Sequence, residues 1–402
     1  MQIGIVGKPS SGKSTFFSSS TLIDVGIASY PFTTIEPNKG IGFVRVEDAG
    51  KFFGVISNPK HGFLVETEKG PIRYVPVELI DVAGLVPGAN EGKGLGNKFL
   101  NDLSQADALI HVVDASGSTD EEGKTVPTGS HDPCKDINFL EKEIELWFLK
   151  IIESNWAKFG KSPEKDFNKK VSLLAQNLSG VKILPTHIEK ALRELSIDEK
   201  MFGDWTSTDK EKFATKCRHF SKPIIIAANK CDLPNAEENI KKMREAFPDK
   251  TIVPCSAASE LSLRKAAKQN MVKYYPGWKN FEVLGEINEK QKMGLETIKK
   301  NVLEKFDGTG VQQCLDTVVL NVLSYIPIFP GGTKGLTDKD GNIIPDCFLM
   351  KKGSTALDFA FMLHTDIGNG FIRAIDVKTK QIIGKEHELK YGDVIEIIFN
   401  KR

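Results

Sequence analysis

The chain has 402 residues, with 54 Lys+Arg against 53 Asp+Glu, so its formal net charge is +1. A composition of 40% hydrophobic and 27% charged residues excludes a disordered chain, and the balanced charge excludes a globally basic nucleic-acid binder. No apolar run approaches the ~18 residues that a membrane span needs, so no membrane partner is expected.

At roughly 150 residues per domain the length suggests two or three domains. The start, Met1-Gln2-Ile3-Gly4-Ile5-Val6-Gly7, reads as a strand rather than a signal peptide. Six cysteines are too sparse for a disulfide scaffold, which fits a reducing, cytoplasmic setting. Up to about residue 115 the pattern alternates strands and helices, an α/β arrangement. Gln2–Val6, Val75–Ile80 and Ala108–Val113 are its strand-like runs, and Pro223–Ala228 and Thr251–Pro254 resume them much later. The intervening stretch, Ser116–Ser221, reads as helical. Asp132-Pro133 is a helix start, a capping carboxylate followed by proline at the first helical position. Behind it Ile137, Leu140, Ile144, Trp147, Phe148 and Ile151 recur at three- and four-residue spacing, one apolar face meant for packing. Phe167–Leu178 and Ile188–Leu195 look like further helices of this insertion. Beyond Ser262, Ile287–Phe306 and Val311–Leu323 read as two helices. A Pro/Gly stretch at Ile326–Gly332 then reads as a boundary. The remainder is strand-rich, with Asp346–Met350, Phe371–Ala374, Gln381–Ile383 and Val394–Phe399 as strands and Ala356–His364 as a helix.

Five motifs carry chemistry. Gly7-Lys8-Pro9-Ser10-Ser11-Gly12-Lys13-Ser14 is a complete phosphate loop, placed between a strand and a helix that continues through Thr15. Its glycines let backbone N–H groups curl toward phosphates; Lys13 would reach the β- and γ-phosphates and Ser14 would ligate Mg²⁺. Asp81-Val82-Ala83-Gly84 ends a strand, which suits Asp81 to hold Mg²⁺ through water and the Gly84 N–H to sense the γ-phosphate. Between these lies Tyr30-Pro31-Phe32-Thr33-Thr34-Ile35-Glu36-Pro37. A switch threonine there could bind Mg²⁺, and spacing alone allows Thr33 or Thr34. Asn229-Lys230-Cys231-Asp232 is N-K-x-D, whose Asp accepts from the N1–H and exocyclic amine of guanine. Ser256-Ala257 ends the next strand and would offer a backbone N–H to the guanine O6.

These motifs resemble the YchF-type branch of the Obg-like GTPases, closest to its archaeal and fungal members. The resemblance is carried by Gly84-Leu85-Val86-Pro87-Gly88-Ala89-Asn90-Glu91-Gly92 and the run onward to Leu100, together with Pro31–Asn38. The C-terminal Leu349–Thr355 and Leu363–Gly368 resemble a TGS domain, a small β-grasp fold. The resemblance implies Thr34 as the Mg²⁺ ligand, Lys13, Thr34 and Gly84 as the catalytic set, and binding to ribosomes, ribosomal RNA or transfer RNA. Ser10 stands where the family usually has Asn, so potassium stimulation does not carry over. Retention of N-K-x-D argues for GTP over ATP. Leu85 occupies the place where Ras-type GTPases carry a water-orienting Gln, which implies slow hydrolysis. Glu91 is the nearest carboxylate and reads as a solvated loop charge.

The expected architecture is a Ras-like P-loop GTPase fold (1–115 and 222–275) with a helical insertion (116–221), a helical connector (276–325) and a TGS-like β-grasp domain (326–402). The expected function is a Mg²⁺-dependent, GTP/GDP-binding switch in translation. The alternatives are an ATPase or dual-specificity enzyme, and an RNA- or ribosome-binding scaffold with incidental hydrolysis. Lys351, Lys352, Arg373, Lys378, Lys380, Lys385, Lys390, Lys401 and Arg402 would give the C-terminal domain a local basic face for RNA, against the alternative of a solvated surface balanced by Asp358, Asp376, Glu386, Glu388 and Asp393. His131/Cys134 with Cys217/His219 lacks the spacing of a zinc site and reads as scattered side chains. His364 reads as a capping or packing residue before an RNA contact.

Overall fold

The computed structural model describes residues 1–21, 38–82, 84 and 96–400; Thr33, Thr34, Leu85 and Glu91 lie outside them. The chain begins β1 (Gln2–Val6), α1 (Lys13–Thr21), β2 (Lys39–Glu47), α2 (Gly50–Phe53), β3 (Phe63–Val65), β4 (Ile72–Asp81), α3 (Gly96–Gln105) and β5 (Ala108–Asp114). Four helices follow: α4 (Pro133–Phe159), α5 (Phe167–Leu178), α6 (Pro185–Glu194) and α7 (Ser207–Ser221). The α/β pattern then resumes with β6 (Ile224–Asn229), α8 (Ala236–Ala246), β7 (Ile252–Pro254) and α9 (Ala257–Lys268). By contact the chain divides into two units. One gathers the N-terminal residues with Glu78–Cys314, the other Ile41–Val77 with Leu315–Arg402.

In the first unit the end of β4, then β1, β5, β6 and β7 lie side by side in parallel. Parallel strands covered by helices on both faces should be apolar throughout. β5, Ala108-Leu109-Ile110-His111-Val112-Val113-Asp114, is buried at every position. Its one basic group, His111, is pushed down to about 3 by burial, then by Lys250 and Lys8. The helices α4–α7 share one apolar core with the sheet's flank. Leu140, Ile144, Phe148 and Ile152 of α4 meet Leu174, Leu192 and Phe213 there. Asp132 caps α4 by accepting from Cys134 N at 3.0 Å, and Pro133 fills its first turn. The apolar face begins as the spacing requires, although Ile152 is its fully buried member in that turn and Ile151 is only half-buried. α7, which the spacing did not single out, starts with a reciprocal cap between Thr206 and Asp209.

After the short strands β8 (Val272–Lys273) and β9 (Glu282–Val283) come α10 (Glu289–Ile298), a π-helical stretch Lys299–Leu303, α11 (Glu304–Phe306) and α12 (Val311–Asp316). The C-terminal elements are β10 (Tyr325–Pro330), β11 (Phe348–Lys351), α13 (Ala356–Leu363), α14 (Thr365–Asn369), β12 (Phe371–Asp376), β13 (Gln381–Ile383) and β14 (Val394–Phe399). They form a five-stranded sheet in the order β11-β10-β14-β12-β13, with Phe359 and Ala360 of α13 buried. The Pro/Gly stretch expected to be a boundary is therefore the strand β10. Proline disrupts a ladder only where its absent N–H would donate. Pro327 takes part through its carbonyl, which accepts from Gly392 N at 2.9 Å, while Ile326 and Ile328 alternate into the core. The same unit includes a buried ion pair, Arg73 Nε to Asp48 Oδ2 at 2.6 Å, and Arg73 Nη2 also donates to Ile344 O. His364 Nδ1 accepts from Asp366 N at 3.1 Å and caps α14. Among the described residues no helix is long and apolar enough to cross a membrane.

Candidate functional site

The site is built at the C-terminal ends of the parallel strands, where open α/β sheets leave a crevice. β1 ends at Val6, and Gly7–Gly12 turn the chain into α1, which begins at Lys13. Ser10 holds a positive φ of 61° within this turn. Gly12 has φ +91°, and a Cβ there would collide with Asn229 Nδ2, so this position requires glycine. Ser11 is fully buried, Ser14 is exposed and Thr15 half-buried on the first turn of α1.

The end of β4 and the residues just beyond it complete the phosphate side. The Lys13 ammonium donates to Asp81 Oδ1 at the end of β4. Gly84 lies beside the phosphate loop: a Cβ on it would be 3.8 Å from both Gly7 O and Pro9 Cγ. Lys13 and the distant Asp81–Gly84 motif thus converge on one place.

The base-reading motifs converge from β6 and β7. Asn229, buried at the end of β6, spans both halves of the site. Its Nδ2 donates to Ser11 O at 2.9 Å, and its Oδ1 accepts from Ala257 N at 3.0 Å. Asp232 is half-buried, and its carboxylate has no hydrogen-bond or ion-pair partner among the described residues. Lys230 has φ +61° and sends its ammonium to Asp114 Oδ2 at 2.8 Å. Burial pushes the Asp114 carboxyl up, but hydrogen bonds from Lys230 and then Ser116 outweigh it and hold the group below its usual range. The Ser256-Ala257 step differs from expectation. Ser256 N donates to Thr309 O at 2.8 Å, and Ala257 N is taken by Asn229, so both N–H groups already have acceptors within the protein.

Sequence reasoning missed Asp114, Asp136 and Thr309. Asp114 had a signal, because it ends an apolar strand as Asp81 does; the other two had none. His131 Nε2 and Asp136 Oδ1 are 2.8 Å apart, and Cys217 is buried in the helical core. Among the described residues no group of three or more His, Cys, Asp or Glu side chains could hold a metal ion.

A parallel sheet that joins a phosphate loop to a bridging N-K-x-D asparagine, together with a β-grasp sheet near the C-terminus, defines a P-loop GTPase fold with a TGS domain. Comparison with known proteins gives the same class. Residues 2–137 match the family described as 50S ribosome-binding GTPase, residues 227–331 the Obg-like GTPase YGR210-like, G4 motif-containing domain, and residues 335–399 the TGS domain. An uncharacterized GTP-binding protein of Methanocaldococcus jannaschii is 45% identical over 399 residues, 98% of each chain. The crystal structure of a GTP-binding protein from Pyrococcus horikoshii superposes with a TM-score of 0.77 at 36% identity, covering 100% of both chains. The ribosome-binding ATPase YchF of Bacillus subtilis is 28% identical, over 99% of this chain and 98% of its own. The chain belongs to the YchF-type Obg-like GTPases and is a GTP-binding protein of that family.

Proposed function

We propose that the protein is a slow, Mg²⁺-dependent GTPase that works as a nucleotide-controlled switch on ribosomes or translation components in the cytoplasm. The observation that carries this reading is Asn229, which ties the phosphate loop to the base loop through Ser11 and Ala257 while Asp232 stays open. An open carboxylate beside that bridge suits the paired N–H donors of guanine, which adenine lacks.

The donor set fits a hard cation: the Ser14 hydroxyl is exposed at the helix start, and the Asp81 carboxylate meets Lys13 beside it. Mg²⁺ there would neutralise charge on the β- and γ-phosphates. In this reading Gly7, Lys8, Pro9, Ser10, Ser11, Gly12 and Thr15 cradle the phosphates. Lys13 exchanges Asp81 for phosphate oxygens, and Gly84 senses the terminal phosphate. Asn229, Lys230, Asp232, Ser256 and Ala257 hold the base, and Thr34 completes the metal and catalytic sets. Positioning and preorganised charge carry the catalysis, and with leucine at position 85 no side chain there can orient water. Residues 116–221 form a partner-facing insertion, 276–325 a connector and 326–402 the RNA-facing domain.

The test is single-turnover hydrolysis of GTP and ATP with and without ribosomes. Guanine-selective turnover that ribosomes accelerate supports the switch. Turnover that ribosomes leave unchanged favours a scaffold with incidental hydrolysis. A second reading, an ATPase or dual-specificity enzyme, is favoured by one observation: the Ala257 N–H needed for guanine O6 is engaged by Asn229. The name of the B. subtilis relative agrees with it.

A further inference from the structure

Two lysines of the nucleotide loops have their ammonium groups held by residues that run from the end of β5 to the first turn of α4. Lys230 reaches Asp114 Oδ2 at 2.8 Å and Ser118 Oγ at 3.3 Å. Asp114 is fully buried and also accepts from Ser116 Oγ at 2.6 Å, Ser118 Oγ at 2.8 Å and Thr119 Oγ1 at 2.9 Å. Thr119 is buried and works from both ends. Its hydroxyl donates to Asp114, and its carbonyl accepts from Lys8 Nζ at 2.8 Å. Lys8, the second residue of the phosphate loop and only 6% exposed, also makes an ion pair with Asp136 Oδ2 at 2.9 Å, and His131 Nε2 lies 2.8 Å from the other Asp136 oxygen.

A continuous chain therefore runs Lys230–Asp114–Thr119–Lys8–Asp136–His131, from the half-buried base-loop lysine through buried groups to the phosphate loop and on to the first turn of α4. Burying the Lys8 ammonium and two carboxylates, with Lys230 half-buried beside them, costs desolvation that an apolar contact would avoid, so stability alone is a poor reason for it. What such a chain supplies is register: neither lysine can move without leaving a buried charge unpaired. Pro9 is braced from the same segment, because Gly123 approaches it so closely that a Cβ would lie 2.6 Å from Pro9 O.

We propose that Asp114 and Asp136, joined through Thr119, are positioning residues that lock the base-reading loop and the phosphate loop into one register, so that the protein grips the two ends of a guanine nucleotide cooperatively. This rests on the guanine-nucleotide reading above.

The test is a double-mutant cycle in the full-length protein, read as the dissociation rate of fluorescent GDP. Asp114→Asn and Lys8→Met should each speed release about tenfold, the cost of one unpaired charge-assisted contact. Together they should fall short of the product by at least about threefold, because each breaks the same chain. In a Thr119→Val background, which removes the hydroxyl but keeps the carbonyl, the two effects should become multiplicative. Lys8→Arg, which keeps the charge, should restore most of the slow release. Unfolding midpoints without nucleotide control for general loosening, and Ser118→Ala replaces Asp114→Asn if the latter fails to fold. Multiplicative effects in both backgrounds, or release rates that follow the midpoints alone, would overturn the proposal. A parent protein that binds no GDP would instead overturn the guanine-nucleotide reading.

Discussion

Replacing Asn229 by alanine deletes both bonds of the side chain that spans the site. It strips Ser11 O of a donor and Ala257 N of an acceptor, and both residues are fully buried. A buried polar group left unpaired costs about 1–3 kcal/mol, so two cost about 2–6 kcal/mol, with ~3 kcal/mol a conservative working figure. At 1.4 kcal/mol per factor of ten, that cost predicts about 100-fold weaker GDP binding if it falls on the ordered, ligand-binding loops. Calorimetric titration of GDP into Asn229→Ala, with chemical unfolding of the same sample, measures both terms. Affinity within threefold of the parent would refute the reasoning, because the loops would then hold their places without the bridge.

Lys13→Ala removes the cation that faces Asp81 and should weaken GTP binding about 100-fold or more while the apo protein stays folded, as seen by equilibrium titration and circular dichroism. His111 gives a pH dependence. Its folded pKa of about 3 lies below the unfolded value of 6.5, so between them the unfolded chain binds the extra proton. Its contribution is therefore complete above pH 6.5 and lost as pH falls toward 3, with a slope of at most about 1.4 kcal/mol per pH unit. Urea midpoints of the parent and His111→Leu from pH 7 to pH 4 should show the parent losing stability faster; parallel profiles would mean the imidazole is charged in the fold. Lys351, Lys352 and Arg373 are exposed beside the C-terminal sheet. Changing all three to Glu should weaken RNA or ribosome association and lower its log–log salt slope by about one for each phosphate no longer neutralised, measured by co-sedimentation across salt.

Much of this was legible because local chemistry and global placement agree. Gly7–Ser14 must be a strand-to-helix turn, and Asp132-Pro133 must start a helix, whatever surrounds them. The strand β10 was hidden because proline is a local signal, whereas Ile326 and Ile328 earn their place only from a core that other strands supply. Residues 41–77 group with the C-terminal residues through Arg45–Asp316 and Arg73–Ile344, pairs some 271 positions apart that no periodicity announces. In the site, the residue types of the five motifs could be read, but the occupancy of the Ser256 and Ala257 N–H groups could not. Thr309 and Asn229 claim them through contacts that exist only once the loops have met. Asp114 and Asp136 escaped for the same reason, since an acidic residue at a strand end or in a helix's first turn has many ordinary roles.

The central claim is guanine recognition at a site assembled by Asn229 and left open at Asp232. It is tested most directly by titrating GDP, GTP, ADP and ATP into the parent protein and into Asp232→Asn. The account predicts that the parent prefers guanine over adenine nucleotides by roughly 30-fold or more, the worth of a paired, charge-assisted contact of about 2 kcal/mol or more. It also predicts that Asp232→Asn abolishes that preference and gains affinity for xanthosine diphosphate. Equal affinity of the parent for GTP and ATP, or a guanine preference that survives Asp232→Asn, would contradict it.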